Sequence, residues 1–178
     1  MKKILLGAAL LFVSVFNKTN AQAVEKGNFV INAGIGLGGL DHAYDFNVSP
    51  QYLVSADKAI WEIGNAGVIG LGAFLGTKSY KYDNFGVKEK WSQHTIGVRG
   101  TFNFGFIPVE KLNVYAGPTI EYTITTGDGD YFFDKNLIGA GALVGARYYF
   151  TPNIGVFTEL NAGGNINSLL RLGAAFKF

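Results

Sequence analysis

Residues 137–150 read LIGAGALVGARYYF, and their side chains alternate between two classes. One class is apolar and consists of Ile138, Ala140, Ala142, Val144, Ala146 and Tyr148. The other class, over residues 139–149, contains three glycines and three larger residues, Leu143, Arg147 and Tyr149. Successive side chains of a β-strand point to opposite faces, so this period of two predicts a strand with one apolar, uncharged face.

The same alternation recurs in seven other segments of the chain. They cover residues 29–37, 48–56, 69–76, 95–104, 112–122, 154–161 and 170–178, and the second of these has the weakest pattern. No segment after residue 23 has the roughly 18 continuous apolar residues that indicate a membrane-spanning helix. The pattern therefore predicts an all-β protein of eight strands.

The distribution of charge decides which face of these strands points outward. The glycine-bearing face also carries one charged residue on each of five consecutive strands: Arg99, Glu121, Arg147, Glu159 and Arg171. The opposite faces would expose about eight apolar stripes to water, which exceeds what a soluble monomer tolerates. We therefore predict a closed eight-stranded antiparallel transmembrane β-barrel, an up-and-down meander with lipid outside and a polar lumen inside. A soluble lipocalin-like periplasmic binding barrel, with its apolar faces inward, is the alternative.

The first 23 residues have the three parts of a secretory signal peptide. A basic pair precedes an apolar run over residues 4–16, and an A-x-A site follows, which offers cleavage after Ala21 or Ala23. Residues 24–178 then form the barrel domain. That domain contains 12 basic residues, 13 acidic residues and no cysteine. Its near-neutral charge argues against a nucleic-acid partner.

The lengths of the connections predict the orientation. Residues 107–111 and 151–153 form tight turns, whereas residues 79–92 and 125–136 form longer polar loops. Short periplasmic turns and longer extracellular loops are typical of outer-membrane barrels. Residues 57–67 are predicted as a link, which is longer than expected for a periplasmic turn.

Aromatic residues cluster near both ends of the predicted strands. Such rings favour the two membrane interfaces, where they form girdles. The predicted girdle consists of Tyr80, Tyr82, Trp91, Phe102, Phe104, Tyr122, Tyr148 and Phe150.

The signal peptide, the eight strands and the final stretch LLRLGAAFKF (169–178) together resemble small outer-membrane β-barrel proteins of the OmpA/OmpX type. In that group the last strand alternates apolar residues, ends in an aromatic residue and is the recognition signal for the barrel assembly machinery. Leu170, Leu172, Phe176 and Phe178 match this pattern. The resemblance implies an outer-membrane location, contact with outer-membrane lipid and lipopolysaccharide, and the assembly machinery as a partner during insertion.

The five interior charges predict a structural network of ion pairs. An eight-stranded barrel has a lumen that side chains fill, and a charge buried alone is unfavourable. Glu159 should pair with Arg147 or Arg171, because these residues lie on neighbouring strands. A narrow channel for ions or small solutes is the alternative function.

Residues 34–39, GIGLGG, satisfy the G-x-G-x-x-G fingerprint of a dinucleotide-binding loop, and Asp57 lies roughly where a ribose-binding acid could sit. That fingerprint requires a strand before it and a helix after it. Here the first three glycines fall within an alternating strand pattern and no helical period follows. The glycines are therefore predicted to line a narrow barrel interior, and no nucleotide cofactor is predicted.

The remaining candidates for chemistry are weak. His94 is followed by Thr95, which does not match the H-x-S-N motif of one family of lipid-modifying barrels, and His42 lies in the first loop beside two aspartates. An acidic loop could bind calcium through Asp128, Asp130 and Asp134, but the spacing does not match an EF-hand and a solvated loop is favoured. We predict no catalytic residue, no cofactor and no metal site.

The predicted function is a non-enzymatic membrane protein that contributes to envelope integrity, or to surface contact and adhesion through residues 79–92 and 125–136. Loops on a rigid scaffold are common sites of binding, and both segments mix aromatic and charged side chains. A lipid-modifying barrel enzyme is a further alternative.

Overall fold

A computed structural model gives the structure of the chain. It describes residues 23–39, 47–84, 87–127, 136–164 and 168–178, without the side chains of residues 83–88. The predicted signal peptide before residue 23, the His42 loop and the acidic loop of Asp128, Asp130 and Asp134 lie outside the described residues. No helix in the described ranges is long and apolar enough to cross a membrane.

The described chain consists almost entirely of antiparallel strands. They are β1 (Phe29–Leu37), β2 (Asn47–Val48), β3 (Gln51–Ile63), β4 (Gly67–Asn84), β5 (Val87–Phe104), β6 (Leu112–Gly127), β7 (Asn136–Tyr149), β8 (Ile154–Gly163) and β9 (Leu170–Lys177). Strands adjacent in the chain pair with each other from β3 to β9, and β1 pairs with both β3 and β9. The sheet therefore closes on itself.

The two-residue strand β2 extends β3 and does not add a ninth strand to the barrel. It pairs with β4 at Lys81 and Tyr80, directly beyond the β3–β4 pairing, which begins at Tyr52 and Thr77. Pro50 lies between β2 and β3, and proline lacks the N–H that a continuous strand would donate. The fold is thus a closed eight-stranded antiparallel barrel, which confirms the predicted fold class.

Strand β3 is longer than predicted, and this corrects the assignment of residues 57–67 to a link. Pairing with β4 continues to Ile63, with an irregularity between Ala59 and Trp61. Only Gly64–Ala66 form the turn, and the glycines at its two ends, Gly64 and Gly67, have positive φ. The alternation was weak here because charged residues enter both faces of the strand. Asp57 consequently lies in a barrel wall.

The two faces of the wall have opposite character. The outward face is apolar and exposed, and its largest members include Leu71, Leu75, Val98, Ile120, Ile138 and Leu160. The inward face is rich in polar and charged side chains, of which Arg147 and Glu159 are each only 1% exposed. This is the reverse of a soluble lipocalin-like barrel, so that alternative is contradicted.

At several interior positions, glycine leaves room for a large side chain from another strand. A Cβ atom on Gly97 would overlap the ring of Phe74, and one on Gly145 would lie 2.6 Å from Cζ of the Tyr115 ring. Gly34 and Gly36 likewise lie inside β1, paired with β3 and β9. They belong to a strand in the barrel wall, which contradicts a dinucleotide-binding loop.

The pairing between β5 and β6 is interrupted part-way along these strands. Pairing of β5 with β6 is present at Arg99 and Thr119 and again at Phe102 and Ala116, but not in between, where Pro118 has no N–H to donate. An outward-facing apolar groove of about 370 Å³ lies there.

An apolar cluster fills the end of the barrel where the described chain begins, at Ala23, and ends, at Phe178. Its buried members are Ala23, Val24, Val30, Leu53, Ala59, Val68, Tyr149, Phe157 and Ala175. The Lys177 ammonium group donates a hydrogen bond of 2.8 Å to the Ala23 carbonyl oxygen. The segment that precedes β1 is therefore packed into the barrel end.

Candidate functional site

A cluster of buried charged side chains crosses the middle of the lumen. Arg99 on β5 donates two hydrogen bonds to the Asp57 carboxylate on β3, of 2.6 Å from Nε and 2.5 Å from Nη2. Its Nη1 donates a third, of 2.8 Å, to Glu159 Oε1 on β8. One guanidinium group thus connects three strands of the barrel, β5, β3 and β8.

Arg147, on strand β7, contacts the same Asp57 carboxylate. Its Nη2 lies 2.5 Å from Asp57 Oδ2, and its Nε and Nη1 donate to the amide oxygens of Asn32 and Asn113 at 3.1 and 3.0 Å. The guanidinium carbon lies 3.9 Å from the centroid of the Tyr115 ring. The planar guanidinium is therefore held both by hydrogen bonds in its plane and by stacking on its face.

Glu159 is the acceptor at the other side of the cluster. Its Oε1 accepts hydrogen bonds from Arg99 and from the Tyr115 hydroxyl at 2.7 Å. Its buried Oε2 has no hydrogen-bond partner, and Arg171 Nη1 lies 3.9 Å from it.

Arg171 connects the charged cluster to the other end of the lumen. Its Nε donates to the Ser168 hydroxyl at 3.0 Å, and that hydroxyl donates to Gln51 Oε1 at 2.6 Å. Its guanidinium also lies over the Phe74 ring, 5.1 Å from the centroid.

The structure places all five predicted interior charges on the lumen face, where each is buried. Of the two partners predicted for Glu159, Arg171 forms an ion pair with it at 3.9 Å, whereas Arg147 does not. The main partner of Glu159 is Arg99, three strands away around the barrel. Side chains in so narrow a lumen reach across it, so neighbouring strands are not the only source of partners.

Sequence reasoning missed Asp57, the carboxylate that binds both Arg99 and Arg147. A signal for it was present. Leu53, Ser55, Asp57 and Ala59 continue one face of β3, and all four are buried. Extending the alternation past residue 56 would have placed Asp57 in the lumen.

The described lumen offers binding and positioning groups but no assembled nucleophile and base. His94 points outward, where its two ring nitrogens lie 3.1 and 3.3 Å from the hydroxyls of Thr77 and Thr126. The Ser168 hydroxyl contacts an arginine and an amide, neither of which is a general base. Among the described residues, no group of three or more His, Asp or Glu side chains is arranged to hold a metal ion.

The structure contradicts the assignment of three residues to the lipid-facing aromatic girdle: Tyr80, Tyr82 and Trp91. Tyr80 and Trp91 face the interior, are each 2% exposed and stack on each other with ring centroids 5.3 Å apart. Tyr82 lies on the same face of β4 as Tyr80. The lumen face of β4 consists of even-numbered residues such as Phe74 and Lys78, so the parity of the strand excludes these tyrosines from the lipid-facing surface.

The other aromatic residues of the predicted girdle lie on the outward face. Phe102 packs edge-on against Phe104 near the end that holds the chain termini, with centroids 5.1 Å apart. Tyr148 and Phe150 form a similar pair at 5.5 Å, and Tyr122 lies outward in the other half of the barrel. Their role at a membrane interface remains a prediction.

Leu170, Leu172 and Phe176 lie on the outward face of β9, and Phe178 directly follows the strand. The backbone of Phe178 exchanges two hydrogen bonds with that of Phe29, of 2.9 and 2.8 Å, so the last residue completes the ring of strands. Recognition of these side chains by assembly machinery remains a prediction.

The predicted loop of residues 79–92 consists largely of two strand ends. Pairing between β4 and β5 continues to Asn84 and Val87, so only residues 85 and 86 remain between the strands. Polar residues here continue an alternating strand beyond the apolar belt, which sequence reasoning read as a loop. In the predicted loop 125–136, β6 ends at Gly127 and residues 128–135 lie outside the described ranges.

Comparison with solved structures identifies the architecture. The chain is similar to the outer membrane protein OprG from Pseudomonas aeruginosa, with a TM-score of 0.55 and 11% identity over 89% of this chain and 99% of that chain. The fold is that of a small outer-membrane β-barrel. This agrees with the family resemblance that the sequence showed.

Two other solved barrels are more distant in shape. Ail of Yersinia pestis has a TM-score of 0.49 and 10% identity over 86% of this chain and 100% of that chain. Neisserial surface protein A has a TM-score of 0.45 and 17% identity over 85% of this chain and 96% of that chain. No family model matches the chain, and no curated protein matches its sequence.

Proposed function

We propose that this small outer-membrane barrel acts through its outer surface, in envelope integrity or surface contact, and that it does not conduct solutes. The observation that carries the proposal is the position of Arg99. Its hydrogen bonds to Asp57 and Glu159 connect β5 to β3 and β8 across the lumen. A pore through the barrel would have to break these contacts.

The outer-membrane location follows from the surface of the barrel. Apolar side chains cover the outside, and the closed ring of strands leaves no unpaired edge within hydrocarbon. Lipid stabilises such a surface, whereas water does not. Arg99 and Arg147 pair with Asp57 and Glu159 in the lumen, so these buried charges are neutralised without an aqueous channel.

The shape of the barrel supports a role in surface contact. Strands β4 and β5 have 18 residues each, whereas β8 and β9 on the opposite side of the barrel have 10 and 8. At about 3.3 Å per residue, the longer hairpin extends roughly 30 Å further along the strand direction. It projects from the end opposite the chain termini, which is the extracellular end of such barrels.

Gel mobility of the outer-membrane fraction tests the location. A closed barrel that resists SDS should migrate faster before boiling than after it. Recovery of the protein from the soluble periplasm, with no change in mobility on boiling, would contradict the proposal.

Conductance across a planar bilayer tests the closed lumen. We expect no stable unitary conductance from the refolded protein. Arg99→Ala removes the guanidinium group that connects β5 to β3 and β8, and this variant should produce measurable conductance. Boiled protein added at the same concentration controls for nonspecific leakage. Stable conductance by the unmodified protein would favour the narrow channel.

Mass spectrometry of lipid A tests the enzymatic alternative. Cells that express the chain should contain the same lipid A species as cells that lack it. A new lipid A species that depends on the chain would overturn the non-enzymatic assignment.

A further inference from the structure

The projecting hairpin carries a graded series of outward-facing side chains. We use the term outer ladder for the cross-strand pairs Thr77↔His94, Ser79↔Ser92 and Lys81↔Lys90 of β4 and β5. The pairs directly before it, Ala73↔Val98 and Leu75↔Ile96, are apolar. Along one face the surface thus changes from apolar to hydroxyl and imidazole, and then to cationic.

In the two outer-ladder pairs nearest the apolar belt, the two side chains of each pair contact each other and leave polar atoms exposed. The hydroxyls of Ser79 and Ser92 lie 3.0 Å apart, and His94 lies between the hydroxyls of Thr77 and Thr126. Hydroxyl and imidazole groups can both donate and accept hydrogen bonds. This surface fits a ligand rich in hydroxyl groups, such as a sugar.

The last pair places two like charges opposite each other. Lys81 and Lys90 are register partners, and both side chains are exposed. Directly opposed residues have Cβ atoms about 5 Å apart, and like charges in this position are destabilising. Across the described part of the chain, neither lysine forms an ion pair with a carboxylate. By register, Asp83 is opposite Lys88 in the next pair, which combines opposite charges.

If the hydrocarbon core ends at Thr77, where the apolar pairs end, the backbone of the lysine pair lies just beyond the head-group layer. Lys81 lies four residues beyond Thr77, which corresponds to about 13 Å along the strand and roughly 10 Å along the membrane normal at a tilt near 40°. The polar layer on each side of the hydrocarbon core is roughly 5–8 Å thick. Lysine stems are flexible and can bring their ammonium groups down to that layer.

We propose that Lys81 and Lys90 together bind a phosphate group on the sugar head group of an outer-leaflet glycolipid. The anion would neutralise the pair, and the hydroxyl and imidazole pairs below it would contact the sugar. This proposal rests on the outer-membrane location proposed above, and it names the partner of the projecting hairpin.

Binding of purified lipid A to the detergent-solubilised barrel tests the proposal. Lipid A, enzymatically dephosphorylated lipid A and inorganic phosphate are titrated separately against the unmodified protein, the double variant K81Q/K90Q and the control K111Q. Lys111 is an exposed lysine at the opposite end of the barrel, so K111Q is a control for loss of positive charge.

We expect the unmodified protein and K111Q to bind lipid A at least tenfold more tightly than dephosphorylated lipid A. K81Q/K90Q should lose this preference. Equal preference in K81Q/K90Q, or no preference in the unmodified protein, would overturn the proposal. Inorganic phosphate that binds as tightly as lipid A would show a simple anion site and would overturn the glycolipid assignment.

Stability supplies a readout that does not depend on binding measurements. Removal of the like charges in K81Q/K90Q should raise the urea midpoint in detergent without lipid and lower it in vesicles that contain lipid A. Midpoints that shift in the same direction in both media would contradict the proposal. Gel mobility is recorded for every protein, so a barrel that folds without a lipid preference refutes this inference and leaves the proposed function intact.

Discussion

Arg147 and Asp57 are separated by 90 residues in the chain, yet Arg147 Nη2 lies 2.5 Å from Asp57 Oδ2 inside the barrel. Asp57 binds Arg99 at the same time, so one carboxylate holds two guanidinium groups together. Asp57 is on β3, whereas Arg99 is on β5 and Arg147 is on β7. The two ion pairs therefore connect strands that are not neighbours in the sheet.

Asp57→Asn should destabilise the barrel strongly. The amide keeps the shape of the side chain but removes the charge that neutralises two buried arginines. We expect the free energy of unfolding to fall by about 3–5 kcal/mol. Glu62→Gln is the control, because Glu62 is an exposed residue of the same strand and should change stability by less than about 1 kcal/mol. The folded fraction is measured from gel mobility against urea concentration, and equal midpoints for the two variants would contradict this role of Asp57.

Glu159→Ala should destabilise the barrel more than Tyr115→Phe. The first change leaves Arg99 without one of its two carboxylate partners, whereas the second removes a single hydrogen bond to Glu159. We expect a loss of several kcal/mol for Glu159→Ala and about 1–2 kcal/mol for Tyr115→Phe. The same urea titration measures both, and an unchanged midpoint for Glu159→Ala would refute the structural network.

Gly145→Ala should impair folding, because the new Cβ would lie 2.6 Å from the Tyr115 ring and 2.9 Å from Glu159 Cγ. Gly100→Ala is the matched control. Its Cβ would face Pro118 at 3.7 Å, which is an ordinary van der Waals contact. The yield of the SDS-resistant form after refolding should fall only for Gly145→Ala. Equal yields would show that the interior is less tightly packed than the structure indicates.

The two tryptophans of the chain should differ in their access to lipid. Trp61 is 67% exposed and Trp91 is 2% exposed, so only Trp61 is placed to contact acyl chains or head groups. Brominated lipid quenches tryptophan fluorescence on contact. Fluorescence of Trp91→Phe, which retains Trp61, should therefore be quenched strongly, and that of Trp61→Phe should be quenched little. Strong quenching of Trp91 would show that it belongs to the lipid-facing girdle after all.

The mature protein should begin at Gln22. Cleavage after Ala21 retains Ala23, whose side chain is buried and whose carbonyl oxygen binds Lys177. Cleavage after Ala23 would remove this residue and its contact with β9. The intact mass of the protein from the outer membrane distinguishes the two ends, and a mass that corresponds to Val24 as the first residue would contradict the prediction.

Alternation along the strands was enough to predict the fold and the inside–outside assignment. In β7, for example, Arg147 and Val144 differ in parity, and the structure places them on opposite faces. The same rule assigns Tyr80 and Trp91 to the lumen, but their positions near strand ends suggested a girdle instead. Local chemistry at a strand end was thus a poorer guide than parity along the whole strand.

The partners within the lumen could not be predicted from the sequence. The contact of Arg99 with Glu159 depends on barrel diameter and on the stagger of all the strands between them. Those quantities are set by the register of eight pairings together. The neighbouring strands alone pointed to Arg147 and Arg171 as partners of Glu159. Arg147 does not pair with Glu159, and Arg171 Nη1 lies 3.9 Å from Glu159 Oε2.

The pairing of Phe29 with Phe178 has a consequence for the order of folding. The hairpins of consecutive strands involve short loops, but the β1–β9 contact joins the two ends of the chain. Contacts of such large sequence separation form late and slowly. Until the final strand arrives, every intermediate is an open sheet with two unpaired edges, which hydrocarbon does not tolerate. Ring closure is therefore the step at which shielding of both edges would matter most, and the arrival of β9 determines when insertion can be completed.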